Sequence, residues 1–329
     1  MGKTYVVIGS NCFTGSHIVD ALLEDPSRRV IGISRSPEYR DFFLPYKKSP
    51  QGDFRFFQMD LVRDFDSVVD LLDELKPAFV INVAALSEVG FSNTSPVEYF
   101  DINTRAVVAL CNTLRTRPYL ERYVHISSAE ILGSCQEPIA EDAAFFPSTP
   151  YAVSKAAADM YIGTLQSNFG FPAILVRSTN VYGRHQQPFK IIPRTIIYLK
   201  MGRRIQLHGG GVSEKCFVHV RDVVDGLLRT LDQGGHGTYH FSVRSERSIA
   251  DTVRLVCEQM GCDYEASVDV VGERLGQDSR YLLDCTRAMQ ELGWSPRIEF
   301  EEGVRETIEW VEANWDDIER EPLVYEHKV

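Results

Sequence analysis

Two residues that can share a proton transfer stand four positions apart, Tyr151 and Lys155 in the segment Y-A-V-S-K. In a helix this spacing directs both side chains to one face. A lysine ammonium beside a phenol favours the phenolate, so we expect the pKa of Tyr151 to be lowered. Such a phenol can take the proton of a substrate hydroxyl while a hydride leaves the same carbon. The alternative is an ordinary exposed pair on a helix surface.

A glycine-rich turn, G-S-N-C-F-T-G at 9–15, opens the chain. It follows an apolar run and precedes residues with helical periodicity, the context in which such a turn binds a dinucleotide at a helix N-terminus. Cys12 occupies the middle position, where glycine usually lets the phosphates approach. Because cysteine carries a Cβ, the alternative is a tight turn that packs helix on strand without a ligand.

The segment after the second predicted strand bears on which nicotinamide cofactor is bound. It reads Ser34-Arg35-Ser36 and contains no acidic residue. An acidic residue would bind the ribose 2′-hydroxyl of NAD, whereas Arg35 can pair with the 2′-phosphate of NADP. We therefore expect NADP in preference to NAD, unless Arg35 is a solvated loop charge. Asp60, after the third strand, could accept from the adenine amino group or cap the next segment.

Alternating strands and helices must position these residues. Short apolar runs predict six strands, at 5–9, 30–34, 54–59, 78–83, 122–127 and 173–177. Helical periodicity predicts helices at 14–23, 65–75, 97–114, 151–169 and 302–315. This alternation indicates an α/β fold, a Rossmann-type doubly wound parallel sheet with a smaller C-terminal α/β lobe. We expect 1–179 to bind the dinucleotide and 180–329, interleaved with it, to bind mainly the substrate.

Composition excludes several classes of partner. The 329 residues carry a formal net charge of −11, which argues against nucleic acid as a ligand. No apolar run approaches the ~18 residues of a membrane helix, so we expect no membrane partner. The seven cysteines form no C-x-x-C pair, which favours a reduced cytoplasmic protein without a metal site.

Further motifs extend along most of the chain. They read M-D-L at 59–61, N-V-A-A at 82–85, H-I-S-S-A-E-I-L-G at 125–133, P-Y-A-V-S-K at 150–155, R-S-T-N-V-Y-G at 177–183, I-I-P-R at 191–194, F-V-H-V-R-D at 217–222, R-L-G-Q-D-S-R-Y at 274–281 and E-L-G-W-S-P at 291–296. With the glycine-rich turn, they make the chain resemble the extended short-chain dehydrogenase/reductase family. Within it, the chain looks most like the nucleotide-sugar 4,6-dehydratases, the group acting on dTDP-glucose and GDP-mannose.

The resemblance implies a reaction and a role for each of four residues. Tyr151 would deprotonate the sugar O4 while hydride passes from C4 to the nicotinamide, and Lys155 would hold the nicotinamide ribose. Ser128 would hydrogen-bond the reacting oxygen, and Glu130 would remove the C5 proton that the 4-ketone acidifies. Loss of the C6 hydroxyl as water and hydride return to C6 would regenerate a tightly bound NADP or NAD. Glu130 could instead cap the next segment.

The resemblance also implies contact residues and an assembly. The expected cofactor contacts are Gly9, Asn11, Cys12, Phe13, Thr14, Gly15, Ser34, Arg35, Asp60, Leu61, Ala84, Ala85, Asn103, Ser127, Tyr151 and Lys155. The expected contacts to the nucleotide-diphosphate sugar are Ser87, Asn180, Lys190, Lys215 and Arg274, although the cations could be ordinary surface charges. A homodimer through the helices at 97–114 and 151–169 is the assembly the family suggests.

One departure from the family pattern keeps other functions open. Many of these dehydratases carry an aspartate before the glutamate as the acid for the leaving O6, but this chain has Ala129. Glu130 would then act first as base and afterwards as acid. If it cannot, an epimerase or decarboxylase of the same fold is the runner-up. A cofactor-binding regulator without turnover is a third class, although it would not need Tyr151, Lys155 or Ser128.

Overall fold

A computed structural model describes residues 2–48, 52–233, 237–272 and 280–325 of the chain. The strands are β1 Thr4–Ile8, β2 Arg29–Ser34, β3 Asp53–Gln58, β4 Phe79–Asn82, β5 Arg122–Ile126, β6 Ala173–Ser178, β7 Asn180–Tyr182, β8 Ile205–His208, β9 Glu214–His219, β10 Gly237–Phe241, β11 Glu246–Ser248 and β12 Val268–Val271. The helices are α1 Phe13–Leu23, α2 Phe65–Leu75, α3 Val89–Ser92, α4 Pro96–Phe100, α5 Ala106–Leu114, α6 Pro150–Phe169, α7 Ile191–Lys200, α8 Val220–Asp232, α9 Ile249–Gln259, α10 Tyr264–Ser267, α11 Thr286–Leu292, α12 Phe300–Ala313 and α13 Trp315–Ile318.

The central sheet has the strand order β10-β6-β5-β4-β1-β2-β3, and every neighbouring pair in it is parallel. The order reverses between β1 and β4, and ligands of such sheets bind in the crevice at the carboxyl ends of the strands there. Six of the strands are those expected from the sequence. The seventh, β10, comes from the second half of the chain, which therefore returns to the first sheet.

Helices cover both faces of this sheet. One apolar core joins α1, α8 and α11 to one face, and a second core joins α2, α5 and α6 to the other. The three-layer Rossmann-type fold expected from the alternating pattern is thus confirmed. No helix in the described ranges combines the length and the apolarity that a membrane span requires.

The rest of the chain forms smaller sheets over a core of its own. β11, β9 and β7 make a three-stranded sheet, and β12 pairs with β8. The aromatic residues Trp310, Phe300 and Phe217 pack with aliphatic residues of α7 and α12 in this core. The final long helix begins and ends two residues before the predicted bounds, at Phe300 and Ala313.

The helix that carries Tyr151 and Lys155 has strong signals at both ends. Thr149 caps it, because its side chain accepts the Ala152 N–H at 3.1 Å, and Pro150 occupies the first turn. It ends at Gly170, which has a left-handed backbone with φ of 62°. Both side chains therefore project from the first two turns of α6, next to the carboxyl end of β5.

Candidate active site

Two glycines of the turn between β1 and α1 are required by close backbone approach. A Cβ on Gly9 would lie 2.7 Å from Ala84 N, and Gly9 has φ of +92°. A Cβ on Gly15 would lie 2.2 Å from Gly9 O. The turn is therefore a tight cradle at the carboxyl end of β1, and its first α1 residues, Phe13 and Thr14, have no helical acceptor for their N–H groups. Such N–H groups suit a pyrophosphate.

Cys12 caps α1 in place of the usual glycine. Its Sγ accepts the Gly15 N–H at 3.2 Å, and its own N–H donates to Gly9 O at 3.0 Å. Burial raises the pKa of the Cys12 thiol to about 11, so the side chain stays neutral at physiological pH. A neutral thiol does not repel a phosphate, and the turn therefore retains its fit to an anionic ligand.

Ser34 and Asn11 hold the glycine-rich turn against the end of β2. Ser34 Oγ accepts the Asn11 N–H at 3.0 Å. The Asn11 side-chain amide donates to Ser36 O at 3.0 Å and to Pro37 O at 2.7 Å. Arg35 is exposed at the edge of the same cleft. Arg35 thus follows the carboxyl end of β2, the position that contacts the ribose in dinucleotide-binding folds of this type.

Asp60 adopts the capping role that the sequence left open. Its Oδ1 accepts the N–H groups of Val62 at 2.7 Å and Arg63 at 3.1 Å. The next residue, Leu61, is buried beside it. Asp60 and Leu61 line the same cleft as the glycine-rich turn. Asp60 can therefore accept these backbone N–H groups and still form part of the cleft wall.

The predicted helix at 97–114 contains a π-helical turn at Asp101–Arg105, between α4 and α5. The turn is centred on the fully buried Asn103, whose amide donates to Leu86 O at 3.0 Å and to Ser154 Oγ at 3.0 Å. Its Oδ1 accepts the Leu86 N–H at 2.9 Å. Asn103 therefore ties the loop after β4 to α6, and it positions the cleft instead of lining it.

Two adjoining cavities meet at the switch point of the sheet. The larger has a volume of about 350 Å³, and the expected residues that line it are Gly9, Asn11, Cys12, Ser34, Arg35, Asp60, Leu61, Ala84, Ala85, Ser87 and Lys190. The smaller has a volume of about 260 Å³ and is lined by Cys12, Phe13, Thr14, Ala85, Ser87, Ser127, Ser128, Glu130, Tyr151, Lys155, Asn180 and Lys190. The structure therefore brings most of the expected residues to one continuous cleft.

The phenol of Tyr151 shares the smaller cavity with Ser128 and Glu130. Burial raises the pKa of Tyr151, and the nearby Glu130 carboxylate raises it further, whereas a hydrogen bond with Ser128 lowers it. Ser128 Oγ also accepts the Glu130 N–H at 3.2 Å, which places the glutamate at the start of a 3₁₀ turn. The cavity thus holds a hydroxyl, a phenol and a carboxylate side by side.

Lys155, one helical turn after Tyr151, is buried, and its ammonium points toward β5. Nζ donates to Ile126 O at 2.7 Å and lies 3.1 Å from His125 Nε2. Burial lowers the pKa of Lys155 to about 8. The lowered Tyr151 pKa expected from the four-residue spacing is therefore wrong for this structure, because burial outweighs the charge of an ammonium that is held elsewhere.

The residues expected to bind the substrate differ in how deeply they are buried in the cleft. Asn180 lines the smaller cavity, and its Oδ1 accepts the Tyr281 hydroxyl proton at 2.6 Å. Lys215 is buried behind Tyr281, with Nζ 4.8 Å from the ring centre. Lys190 forms an ion pair with Glu88 across the cleft. Ser87 lines both cavities, and Arg274 lies outside the described residues.

Comparison with known proteins identifies the family. The model of the family described as "GDP-mannose 4,6 dehydratase" matches residues 6–307. The chain belongs to this family. It is 30% identical over 336 residues to human dTDP-D-glucose 4,6-dehydratase, covering 97% of this chain and 93% of that protein. The expected membership of the extended short-chain dehydrogenase/reductases, in the nucleotide-sugar 4,6-dehydratase group, is confirmed.

Solved structures agree with this family at the level of the fold. DesIV, a dTDP-glucose 4,6-dehydratase from Streptomyces venezuelae solved with NAD bound, is 28% identical and superimposes with a TM-score of 0.87 over 95% of this chain and 98% of that chain. A UDP-glucuronic acid 4-epimerase from Bacillus cereus is 21% identical, with a TM-score of 0.85 over 94% of this chain and 99% of that chain. The epimerase shares the fold alone.

Several residues of this dehydratase-family site have no obvious sequence signal. Tyr281 is the last residue of the motif at 274–281, and the spacing of that motif indicated no role for it. In the structure, Tyr281 lies between Asn180 and Lys215. Glu88 is an acidic residue in a loop, and only the fold brings it to Lys190. His125 is buried in β5, and only the fold brings its ring to Lys155 Nζ.

Proposed function

We propose that this chain converts a nucleoside-diphosphate hexose to the 4-keto-6-deoxyhexose by transient oxidation at C4 and loss of water across C5 and C6. The observation that supports it best is the grouping of Tyr151, Ser128 and Glu130 in one cavity that adjoins the glycine-rich cleft. A hydroxyl-proton acceptor and a carboxylate base are the two groups that this sequence of steps needs. Lys155 lines the same cavity.

A nicotinamide dinucleotide fits the larger cavity. The close packing at Gly9 and Gly15 makes the cradle for its pyrophosphate, and the wall at Asp60 and Leu61 suits its adenosine. When bound, the nicotinamide supplies the acceptor of the C4 hydride and later the donor to C6. We propose 1–179 as the dinucleotide-binding part and 180–329 as mainly the substrate-binding part.

Tyr151 serves as the base for the O4 hydroxyl, and Ser128 orients that oxygen. The buried phenol starts protonated because its pKa is raised. To accept the O4 proton it must first lose its own, and an ammonium turned from Ile126 O toward the phenol would favour that loss. Lys155 is therefore the residue that we assign to charge compensation at Tyr151.

Glu130 carries both proton transfers of the elimination. With a ketone at C4, the C5 proton is acidic enough for a carboxylate to remove. Glu130 then returns that proton to the leaving O6, which departs as water, because Ala129 has no proton to give. Hydride addition at C6 and delivery of the O4 proton from Tyr151 to C5 complete the balance. No external oxidant is consumed.

Cationic and polar residues, all but Ser87 from the second lobe, bind the nucleoside diphosphate. Lys190 and Ser87 line both cavities, and Asn180 lines the smaller one. Lys215 acts from behind Tyr281, where its charge is partly desolvated. Because two phosphates must be neutralised in a partly closed cleft, cations at these positions suit the substrate. Arg274 belongs to the same proposal.

NADP is the cofactor we propose on the strength of Arg35, which lies exposed at the end of β2. A relative whose structure is solved with NAD, DesIV, keeps NAD as the alternative. Denaturing the purified protein and separating the released dinucleotide by liquid chromatography identifies which one it carries. A population that carries only NAD would contradict the role of Arg35.

A homodimer is the assembly we propose, with a second copy covering one face of α4 and α6. Val97, Phe100, Val153 and Met160 are exposed apolar residues on these two helices, with exposed fractions of 73, 38, 39 and 63%. Light scattering should give twice 37.3 kDa for the wild type and a monomer for Met160→Glu. Val270→Glu, at an exposed valine on β12, is the matched control.

A cytoplasmic location is also part of the proposal, supported by seven free cysteines.

The deciding experiment is a mass-spectrometric screen of the purified protein with UDP-, dTDP-, GDP- and CDP-hexoses and no added oxidant. We expect a product lighter by one water from one nucleotide series, and its loss in Glu130→Gln and Tyr151→Phe. Glu137→Gln, the same change at an exposed glutamate near the site, should keep the wild-type rate. A product in the glutamine variant at the wild-type rate would contradict the assigned base.

An epimerase is the second candidate, and Ala129 is the observation that favours it. Without an aspartic acid at this position, the C4 ketone could be reduced again from the other face with the C6 hydroxyl retained. The screen would then show a new isomer of unchanged mass. With nucleotide uronic acids added to the screen, loss of carbon dioxide would indicate the decarboxylase, and no conversion of any sugar would indicate a regulatory cofactor-binding protein.

A further inference from the structure

The C-terminal segment runs back to the cofactor cleft. After α12 the chain forms α13, whose last residue, Ile318, is completely buried in the second-lobe core. The following segment reaches the cavity that begins at the glycine-rich turn. The residues of this segment that line the cavity are Glu321, Pro322, Val324 and Tyr325. They lie on the same cavity as Arg35 and Asp60, the adenosine end of a bound dinucleotide.

Arg40 holds both this segment and the helix before it through two ion pairs. Arg40 Nε lies 3.1 Å from Glu321 Oε1, and Arg40 Nη1 lies 3.5 Å from Asp317 Oδ1. The Glu321 side chain is 18% exposed and the Arg40 side chain is 54% exposed, so only the glutamate of this pair is shielded from water. Leu323 packs against the second-lobe core. The segment is therefore anchored on both lobes.

The ring of Tyr325 lies between two aromatic residues from different sides of the cleft. Its centre is 5.0 Å from that of Phe91, which follows β4, and 5.3 Å from that of Phe189, which precedes α7. The ring planes are inclined by 60° and 75°, the edge-to-face arrangement that aromatic pairs prefer. These contacts connect the first lobe, the second lobe and the C-terminal segment across the mouth of the cavity.

We propose that Glu321–Tyr325 is a strap that retains the adenosine half of the cofactor, with Tyr325 as its closing contact and Arg40 with Glu321 as its clasp. The inference rests on the proposed function, since hydride leaves C4 and must return to C6 within one turnover. A cofactor lost in between would leave a 4-keto intermediate that cannot be completed. The closing contact at Tyr325 adds no charge to the cavity, and the charge of Glu321 is paired with Arg40.

The test measures dissociation of the cofactor and needs no turnover. The full chain is loaded with NADPH, or with NADH if chromatography finds NAD, freed of excess, and mixed with the oxidised dinucleotide while nicotinamide fluorescence is followed. We expect Tyr325→Ala to release the cofactor about five to one hundred times faster, the effect of losing two aromatic pairs. Tyr325→Phe, which keeps the ring, should stay within about two-fold of wild type.

Two further variants complete the design. Glu321→Gln weakens the clasp and should accelerate release by a smaller factor than Tyr325→Ala. Phe146→Ala removes a 72% exposed aromatic ring that lines neither cavity and should leave the rate unchanged. Equal release rates in Tyr325→Ala and wild type, with equal melting temperatures, would overturn the strap. A wild type that retains dinucleotide but dehydrates no sugar would contradict the proposed reaction while the strap stood, and a wild type that binds none would contradict both.

Discussion

Lys155 Nζ lies 3.1 Å from His125 Nε2, and both side chains are buried. Burial and the charge of Lys155 lower the pKa of His125 well below its usual value, so the ring is neutral and Nε2 can accept from the ammonium. The other nitrogen, Nδ1, then carries the proton and faces the Tyr123 hydroxyl at 3.4 Å. A neutral imidazole therefore holds the buried ammonium in position.

Removing this acceptor should change the pH dependence of the reaction. The pKa of Lys155 is lowered to about 8 by burial, and loss of a hydrogen-bond partner for the charged form lowers it further. Since the charged form is the active one, the rate of His125→Leu should decline at lower pH on the alkaline side than the wild-type rate does. Rate–pH profiles measure this shift. His208→Leu, outside both cavities, is the control, and an unchanged alkaline limb in His125→Leu would contradict the assignment.

Cys12→Gly should strengthen cofactor binding at a small cost in stability. The change removes a Cβ from the cradle and also removes the Sγ that accepts the Gly15 N–H at 3.2 Å. We expect the dissociation constant of the dinucleotide to fall by up to about five-fold, and the free energy of unfolding to fall by about 0.3–1 kcal/mol. Titration calorimetry and urea unfolding measure the two effects. Cys262→Ser, outside both cavities, should change neither, and weaker binding in Cys12→Gly would show that the thiol supports the turn.

Breaking the ion pair between Glu88 and Lys190 should improve substrate binding. In the described structure Glu88 holds the ammonium that we assign to the substrate diphosphate. Glu88→Gln frees it, so we expect KM to fall by up to about five-fold with kcat unchanged, the range of a partly exposed pair. Lys190→Met should raise KM. Glu121→Gln breaks the remote pair with Lys3 and is the matched control. A higher KM in Glu88→Gln would contradict this competition.

The stability of the protein should decline in mild acid because histidines are buried between the two lobes. Burial, with smaller effects of Lys48 and Arg184, lowers the pKa of His185 to about 4. The unfolded chain binds this proton near pH 6.5, before the folded protein does. The contribution of the neutral, buried His185 to the free energy of unfolding is therefore complete above about pH 6.5 and is lost as pH falls toward 4.

His185→Asn tests this pH dependence without disturbing the backbone. Asparagine tolerates the left-handed conformation at φ of 70°, and its amide can replace the Nδ1 donor to Phe42 O. We expect the slope of unfolding free energy between pH 4.5 and 6.5 to decrease by about 1 kcal/mol per pH unit. Urea unfolding across this range measures the slope, with His208→Asn as control. Equal slopes in His185→Asn and wild type would contradict the prediction.

Periodicity and turn chemistry were enough to predict the sheet, because each βα unit carries its own local signals. Gly9 and Gly15 mark a turn that only glycine can make, and Thr149, Pro150 and Gly170 mark the ends of α6. Each of these signals extends over only a few residues, so it can be recognised in a single sequence. The addition of β10 to the central sheet has no such signal, since it depends on a pairing with β6 that is distant in sequence.

By itself, the sequence determined the family, the six strands up to β6 and most of the residues that meet in the cleft. The tertiary structure decided the charge states and partners of those residues. Burial raises the pKa of Tyr151 although Lys155 follows it by one turn, and Lys190 pairs with Glu88, 102 positions away. The position of Tyr325 at the adenosine end of the cofactor cavity likewise depends on the tertiary structure. Desolvation and contacts between distant segments depend on three-dimensional packing, which local spacing does not encode.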